Sequence, residues 1–337
     1  MALTRRPDSP RRALPWVAAL LLLAASAMFV RARVQRAVRE HPPLGRFIEV
    51  DGVRLHLVDA GEPLDDEAVV LLHGNGTMAL DFVLAGTVDA IAPMRRVIAF
   101  DRPGFGFSER PRWRRWTPEA QAALLARALD QLGVRRAVVF GHSWGTLVAV
   151  AMALDHPERV SRLVLASGYY YPTLRMDAAL LSPPALPLIG TLMRHTISPL
   201  LGRLMWTPIM RRMFGPAAVP PSFTAFPKWL ALQPRQLRAA AGESAGMISA
   251  AWRLQKRYAE LTMPVTILAG SDDRQVQTAA QSERLHRELP GSALQVVPGQ
   301  GHMLQHLAPE VVEHALRDAA GLLPHPVQRM APRAQVG

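Results

Sequence analysis

Val138-Val139-Phe140-Gly141-His142-Ser143-Trp144-Gly145 is a β-branched apolar run that closes on a Gly-x-Ser-x-Gly pentapeptide. Thr146-Leu147-Val148-Ala149-Val150-Ala151-Met152-Ala153-Leu154 follows without a break and can form a helix. A strand that runs into a helix through this pentapeptide places a serine on a sharp elbow, with its hydroxyl pushed out of the sheet. The turn strains the serine backbone, and a side chain at either flanking glycine would strike neighbouring backbone. Gly and Ser are common residues, so three matched positions say little alone; the strand before and the helix after give them weight.

A serine hydroxyl is a poor nucleophile at neutral pH. It needs a histidine base, a carboxylate to orient that base, and donors for an oxyanion. Pro264 to Gly270 reads as a buried strand, and the turn beyond it carries Asp272 and Asp273. Ser292 to Val297 reads as the next strand, followed by Pro298-Gly299-Gln300-Gly301-His302. Nucleophile, acid and histidine thus occur in that order, each just past the end of a strand.

These stretches resemble the α/β-hydrolase fold family, together with His73-Gly74-Asn75-Gly76 after the strand Val69 to Leu72 and Asp101-Arg102-Pro103-Gly104-Phe105-Gly106-Phe107-Ser108 after the strand Val97 to Phe100. The resemblance spans about residues 46 to 322 and looks toward the ester hydrolase, haloperoxidase-like and monoacylglycerol-lipase-like members. It implies Ser143 as nucleophile, His302 as base and Asp273 as the orienting acid, with Asp272 the alternative. It implies an oxyanion hole formed by the backbone N–H groups of Asn75 and Trp144. Members with an aspartate nucleophile, the epoxide hydrolases and dehalogenases, are disfavoured by serine at position 143. The position after the strand Arg162 to Ala166, where such folds sometimes carry the acid, holds Ser167 and Gly168.

Other readings compete at each residue. Ser143 alone could be a helix N-cap, and one aspartate of the pair a turn former. His302 and His306 have the spacing of a metal pair on a helix face, but no glutamate or third ligand accompanies them. His73, Asp101 and Ser108 read as groups that shape loops. Gly74-Asn75-Gly76-Thr77-Met78-Ala79 satisfies a permissive dinucleotide-binding fingerprint, a reading that would leave Ser143, the aspartate pair and Gly301-His302 without a purpose.

The N-terminus stands apart. Arg5, Arg6, Arg11 and Arg12 precede an uncharged stretch from Ala13 to Val30, and Arg31, Arg33, Arg36 and Arg39 follow it. That stretch is just long enough to cross a hydrocarbon layer of about 30 Å as a helix. It is expected to be an uncleaved anchor; a signal peptide cut after Ala25-Ser26-Ala27 is the alternative, against which the arginines immediately downstream argue. The flanking charges nearly balance, so the side of the membrane stays open. Gln35 to Leu44 reads as a polar linker.

Asp51-Gly52 between two strand-like segments signals a hairpin. Strands then alternate with helical stretches, which predicts the α/β class: a mostly parallel central sheet with helices on both faces. Between Ser167 and Met263 this rhythm breaks into proline-interrupted pieces rich in Met and Leu, where the family resemblance implies a helical cap insertion. The expected organisation is therefore residues 1–45 as basic N-terminus, transmembrane helix at about 13–30 and linker; 46–168 and 262–322 as hydrolase core; 169–261 as cap; and 323–337 as a disordered tail.

The 337 residues, 49% hydrophobic, suffice for such a core and insertion. With no cysteine in the chain, disulfides, thiolate catalysis and cysteine metal sites are excluded. The net charge of +12 is almost all arginine, Lys228 and Lys256 being the only lysines. Arg110-Pro111-Arg112-Trp113-Arg114-Arg115-Trp116 interleaves tryptophan with arginine, which suits a solvated loop or a lipid headgroup zone and which nucleic-acid binding would also permit. The expectation is a membrane-anchored serine hydrolase of a small or lipophilic ester. No metal, organic cofactor or nucleic-acid partner is expected, and membrane lipid is met through the anchor. Amide, thioester or carbon–carbon hydrolysis, perhydrolysis, and a non-catalytic binding or receptor role are the alternatives, and the oligomeric state is left open.

Overall fold

The computed structural model describes residues 14–173 and 182–323. Eight strands form one sheet: β1 Arg46–Val50, β2 Val53–Ala60, β3 Glu67–Leu72, β4 Val97–Phe100, β5 Arg136–His142, β6 Val160–Ala166, β7 Val265–Gly270 and β8 Ala293–Val297. Their order is β1-β2-β4-β3-β5-β6-β7-β8. The hairpin turns at Asp51 and Gly52, both at positive φ, and β2 also meets β4 antiparallel. All other pairings are parallel. β3, β4 and β5 are buried almost throughout, as strands covered on both faces must be, and so they read as continuous apolar runs and not as alternating ones.

The longer helices are α1 Leu14–Glu40, α2 Pro118–Gln131, α3 Gly145–Asp155, α4 Ile189–His195, α5 Ile197–Phe214, α6 Pro234–Leu254 and α7 Pro309–Ala319. α2 starts where Thr117 Oγ1 accepts the N–H of Ala120 and proline occupies the first turn. It packs with α3 on one face of the sheet around Leu125, Leu129, Leu147 and Val150. α7 covers the other face with Val312 and Leu316, beside Phe82 and Ile91 of the short helices after β3. After His302 a helical turn at Leu304–Leu307 ends before Pro309 opens α7.

α4, α5 and α6 belong to the insertion between β6 and β7. Phe214, Phe223, Phe226 and Leu230 from this region form a third apolar cluster with Met303 of the core. That cluster also takes in Ala37 and Val38 of α1, which corrects the sequence reading of Gln35 to Leu44 as a linker: the chain stays helical to Glu40. Val30, Val34, Ala37 and Val38 recur at helical spacing and turn toward the protein, while Arg31, Arg36 and Arg39 face outward. The Phe29 ring meets Trp229 edge-on at 6.0 Å. The basic residues before Leu14, part of the insertion and all but the first residue of the expected tail lie outside the described residues.

The arginine–tryptophan run divides. Trp116 is a core residue, 8% exposed, whose Nε1–H donates to the Pro111 carbonyl at 2.9 Å and whose ring is flanked by Arg110 and Arg114. A headgroup role is therefore open to Trp113, 70% exposed, and not to Trp116.

Candidate active site

Ser143 joins β5 to α3 with φ at +52°, a strained value for a residue with a side chain. The glycines on either side make this possible. A Cβ on Gly145 would lie 2.3 Å from the Leu72 carbonyl oxygen, and one on Gly141 would lie 2.8 Å from that of Gly145. The serine N–H donates to the Ala166 carbonyl at 2.9 Å, tying the elbow to β6. Its carbonyl accepts Thr146 Oγ1–H at 2.6 Å.

Ser143 Oγ lies 2.9 Å from His302 Nε2, and His302 Nδ1 lies 2.7 Å from Asp273 Oδ2. The loops after β5, β7 and β8 thus bring the three residues into one line. Asp273 Oδ1 accepts the N–H groups of Gln275 and Val276 at 2.7 and 2.9 Å. Burial alone would push this carboxyl up, but the adjacent histidine and the two N–H donors outweigh it and hold Asp273 below the usual carboxylate range. Asp272 points elsewhere: its Oδ2 accepts Ser271 Oγ–H at 2.7 Å. The His302 ring is wholly buried, and its backbone is held from two sides. Its N–H donates to Met213 of the insertion at 3.1 Å, and its carbonyl accepts from His142 Nε2 at 3.0 Å. Burial, with the nearby His302, lowers His142 to about 4, so that ring is neutral and donates from Nε2.

The loop His73-Gly74-Asn75-Gly76 comes off β3 against the elbow. Gly74 is so close that a Cβ there would sit 3.1 Å from the Ser143 Cβ. Among the described residues no protein acceptor takes the backbone N–H of Asn75 or of Trp144. The Asn75 amide donates to the Ala240 carbonyl and Ser244 Oγ of α6, at 3.1 and 3.2 Å, so the insertion helix steadies this loop.

Arg102 lies beneath the loop. Its Nε donates to the His73 carbonyl at 2.8 Å and Nη2 to the Gly74 carbonyl at 3.2 Å. Its guanidinium meets both carboxylate oxygens of Glu243 on α6, at 2.6 and 3.1 Å, and stacks over Trp144. Gln121 of α2 completes the group, accepting from Arg102 and donating to Glu243. Both members of the ion pair are fully buried. Sequence reasoning missed this cluster, for which the only signal was one glutamate within the small-residue stretch Ala239 to Ala245.

The remaining motif residues have structural partners. His73 donates from Nδ1 to the Gly74 carbonyl and accepts the Arg102 N–H at Nε2; burial keeps its pKa well below the usual imidazole value. Asp101 accepts the N–H groups of Ala79 and Phe107, and Ser108 Oγ–H donates to the Asp101 carbonyl. His306 does not join His302 around a common point: its Nε2 lies 2.8 Å from Asp81, which also accepts from Gln305. Among the described residues no group of three or more potential ligands could hold a metal ion.

A family model described as the alpha/beta hydrolase fold matches residues 67–309. The chain is 26% identical over 299 residues to haloalkane dehalogenase 2 of Mycobacterium bovis, covering 83% of this chain and 96% of that protein. It is 36% identical over 129 residues to 2-hydroxymuconate semialdehyde hydrolase of Pseudomonas putida, covering 38% and 45% of the two chains. Among solved structures, that of a membrane phospholipase A superposes with a TM-score of 0.63 at 23% identity, over 92% of this chain and 98% of that one.

Proposed function

The chain belongs to the α/β-hydrolase family and is a hydrolase; from that premise we propose that it cleaves a small or lipophilic carboxylic ester through an acyl-Ser143 intermediate. The observation that carries this reading is the line Ser143 Oγ, His302, Asp273, at 2.9 and 2.7 Å. His302 Nε2 takes the hydroxyl proton as Oγ attacks the carbonyl carbon, and returns it to the departing alkoxide. Asp273 holds the ring in the tautomer that leaves Nε2 free and stabilises the imidazolium. The N–H groups of Asn75 and Trp144 stabilise the oxyanion. Water then attacks the acyl-serine, with His302 again acting as base. A halide-displacing reaction through an ester on an aspartate is disfavoured, because the elbow carries a hydroxyl.

In this reading α1 anchors the enzyme in a membrane by a single pass. Its support is the length and apolar character of the helix, whose first half is almost wholly exposed. The uncleaved form is supported by Ser26, within the alternative cleavage sequence, which donates to the Thr196 carbonyl at 3.0 Å.

A fluorophosphonate probe and a panel of esters of graded chain length test the proposal. The wild-type chain is expected to be labelled and to turn over esters. Ser143→Ala should lose labelling and at least about 10⁴-fold in turnover. Full labelling of that variant would refute the nucleophile. The same panel should include 2-hydroxymuconate semialdehyde, the substrate in the name of the Pseudomonas putida hydrolase to which the chain is similar, as a second reading; preference for that substrate would replace the ester.

A further inference from the structure

The outer side of the insertion is apolar. Along α5, Ile197, Leu200, Leu201, Leu204 and Met205 are all exposed, Leu204 at 76%. They recur three or four residues apart and so form one stripe on one face of the helix. A helix on a globular protein turns such a stripe inward; here it faces out. α4 and the turn before it add Leu188, 85% exposed, with Ile189 and Leu192.

Two observations indicate what covers this face. The Ser26–Thr196 hydrogen bond, 3.0 Å long, joins α1 to the junction of α4 and α5. Ser26 lies within the apolar part of α1, between the exposed Leu22 and Met28. The junction is therefore level with the segment that would enter a bilayer, and not beyond its end. The apolar surface is also rimmed with positive charge. Arg211 and Arg212 occupy the last turn of α5. Arg33, Arg203 and Lys228 line a cleft of about 280 Å³ between α1 and the insertion, together with His41 and with Glu40, whose carboxylate is paired with Arg36 at 2.7 Å. The Arg33 guanidinium lies 5.5 Å from the Trp229 ring. Cations and a tryptophan at the margin of an apolar surface suit the anionic headgroup zone of a membrane.

We propose that α4 and α5 form a second membrane-contacting surface, seated in the same leaflet as the end of α1, with the basic cleft against anionic headgroups. The proposal rests on the reading of α1 as a membrane anchor. It reaches the active site through α5, because Met213 in the last turn accepts the His302 N–H at 3.1 Å. The helix that rests on lipid along one face thus holds the His302 loop at its end.

The chain has no cysteine, so one introduced cysteine carries one fluorophore in the full-length protein. Leu204→Cys, Leu21→Cys and Leu64→Cys are compared in vesicles of equal parts phosphatidylcholine and phosphatidylglycerol, with and without acyl-chain nitroxide lipid. Leu64 is a matched control, 71% exposed in the loop before β3, at the end of the parallel strands opposite the one that carries Ser143. The nitroxide is expected to quench residues 204 and 21 severalfold and to spare 64. Leu201→Glu combined with Leu204→Glu should lower turnover of a vesicle-borne ester about tenfold and leave a water-soluble ester unaffected. An unquenched residue 204 beside a quenched residue 21 overturns the proposal. So does a cross-link between the 204 positions of two copies, which would make the stripe an interface within a dimer. Quenching at neither position rejects the anchor and this surface together. Failure to hydrolyse any ester rejects the substrate reading and leaves the quenching result standing.

Discussion

Ser143 keeps its left-handed backbone because β5, α3 and β3 converge on Gly141 and Gly145, and its hydroxyl is delivered to His302 as a result. The carboxylate behind that histidine distinguishes two neighbouring aspartates. Asp273→Asn should cost roughly 10³- to 10⁴-fold in kcat by favouring the wrong imidazole tautomer, whereas Asp272→Asn removes only a contact to Ser271 and should be mild. Steady-state kinetics on one ester decides, and the reverse ranking would move the acid to Asp272. His142 supplies a pH prediction. Burial holds it at about 4, below the ordinary 6.5, so between these values the unfolded chain binds a proton that the folded chain refuses. Stability should therefore fall as pH drops from about 6.5 to about 4 and change no further from this group below that. His142→Gln keeps a donor for the His302 carbonyl and should remove on the order of 3 kcal/mol of that decline, read as urea midpoints across the window. The decline that persists belongs in part to His73, which is depressed for the same reason.

α6 is fastened to the core at its polar positions. Glu243 meets Arg102, Ala240 and Ser244 meet Asn75, and Gln236 donates to the Gly76 carbonyl at 3.1 Å while accepting the Gly106 N–H at 2.9 Å. Each of these contacts lands on a loop that leaves the end of β3 or β4, so the insertion helix sets the shape of the loop beside Ser143. Glu243→Ala would leave the buried Arg102 charge without its partner, at a cost of about 3–5 kcal/mol. A drop of this size in unfolding free energy is expected, with a fall in kcat as the His73 and Gly74 carbonyls lose their fixed donor. Glu243→Gln retains an acceptor for Gln121 and should be milder on both counts. An alanine variant as stable as the wild type would show that the pair contributes nothing net.

At the scale of the molecule, α1 is two things in one helix. Its first half is exposed and apolar; its second half packs on the insertion through Val30 and Ala37 and meets Trp229 through Phe29. A core that begins at residue 46 and owes nothing to α1 would survive removal of residues 1–40 as an intact, active enzyme. The packing of Phe29, Ala37 and Val38 on the insertion leads to a different expectation. Removing residues 1–25 should leave thermal stability and turnover of a soluble ester nearly unchanged. Removing residues 1–40 should lower the melting temperature by several degrees, since it exposes Phe226, Trp229 and Leu230, at about 1.5–3 kcal/mol per side chain fully uncovered. Equal melting temperatures for the two truncations would show that the second half of α1 is dispensable.

The α/β class, the elbow, the hairpin at Asp51-Gly52 and the order of Ser143, the aspartate pair and His302 were legible in the amino-acid sequence because each is a local matter. Strand burial, turn chemistry and the spacing of a motif from the end of its strand are properties of neighbouring residues. The choice between Asp272 and Asp273 was not local, since both stand in the same turn and only the path of the loop after β8 shows which one meets the ring. The Arg102–Gln121–Glu243 cluster was equally hidden, because its members come from three distant segments and two of them carry no motif. Trp116 in the core and the second half of α1 against the insertion were misread for a common reason. Arginines surround both and dominate the composition, while the apolar atoms between them reveal which way they face only once there is a surface to face. Tertiary structure alone decided these points, because burial of a charged or aromatic side chain depends on what the rest of the chain brings against it.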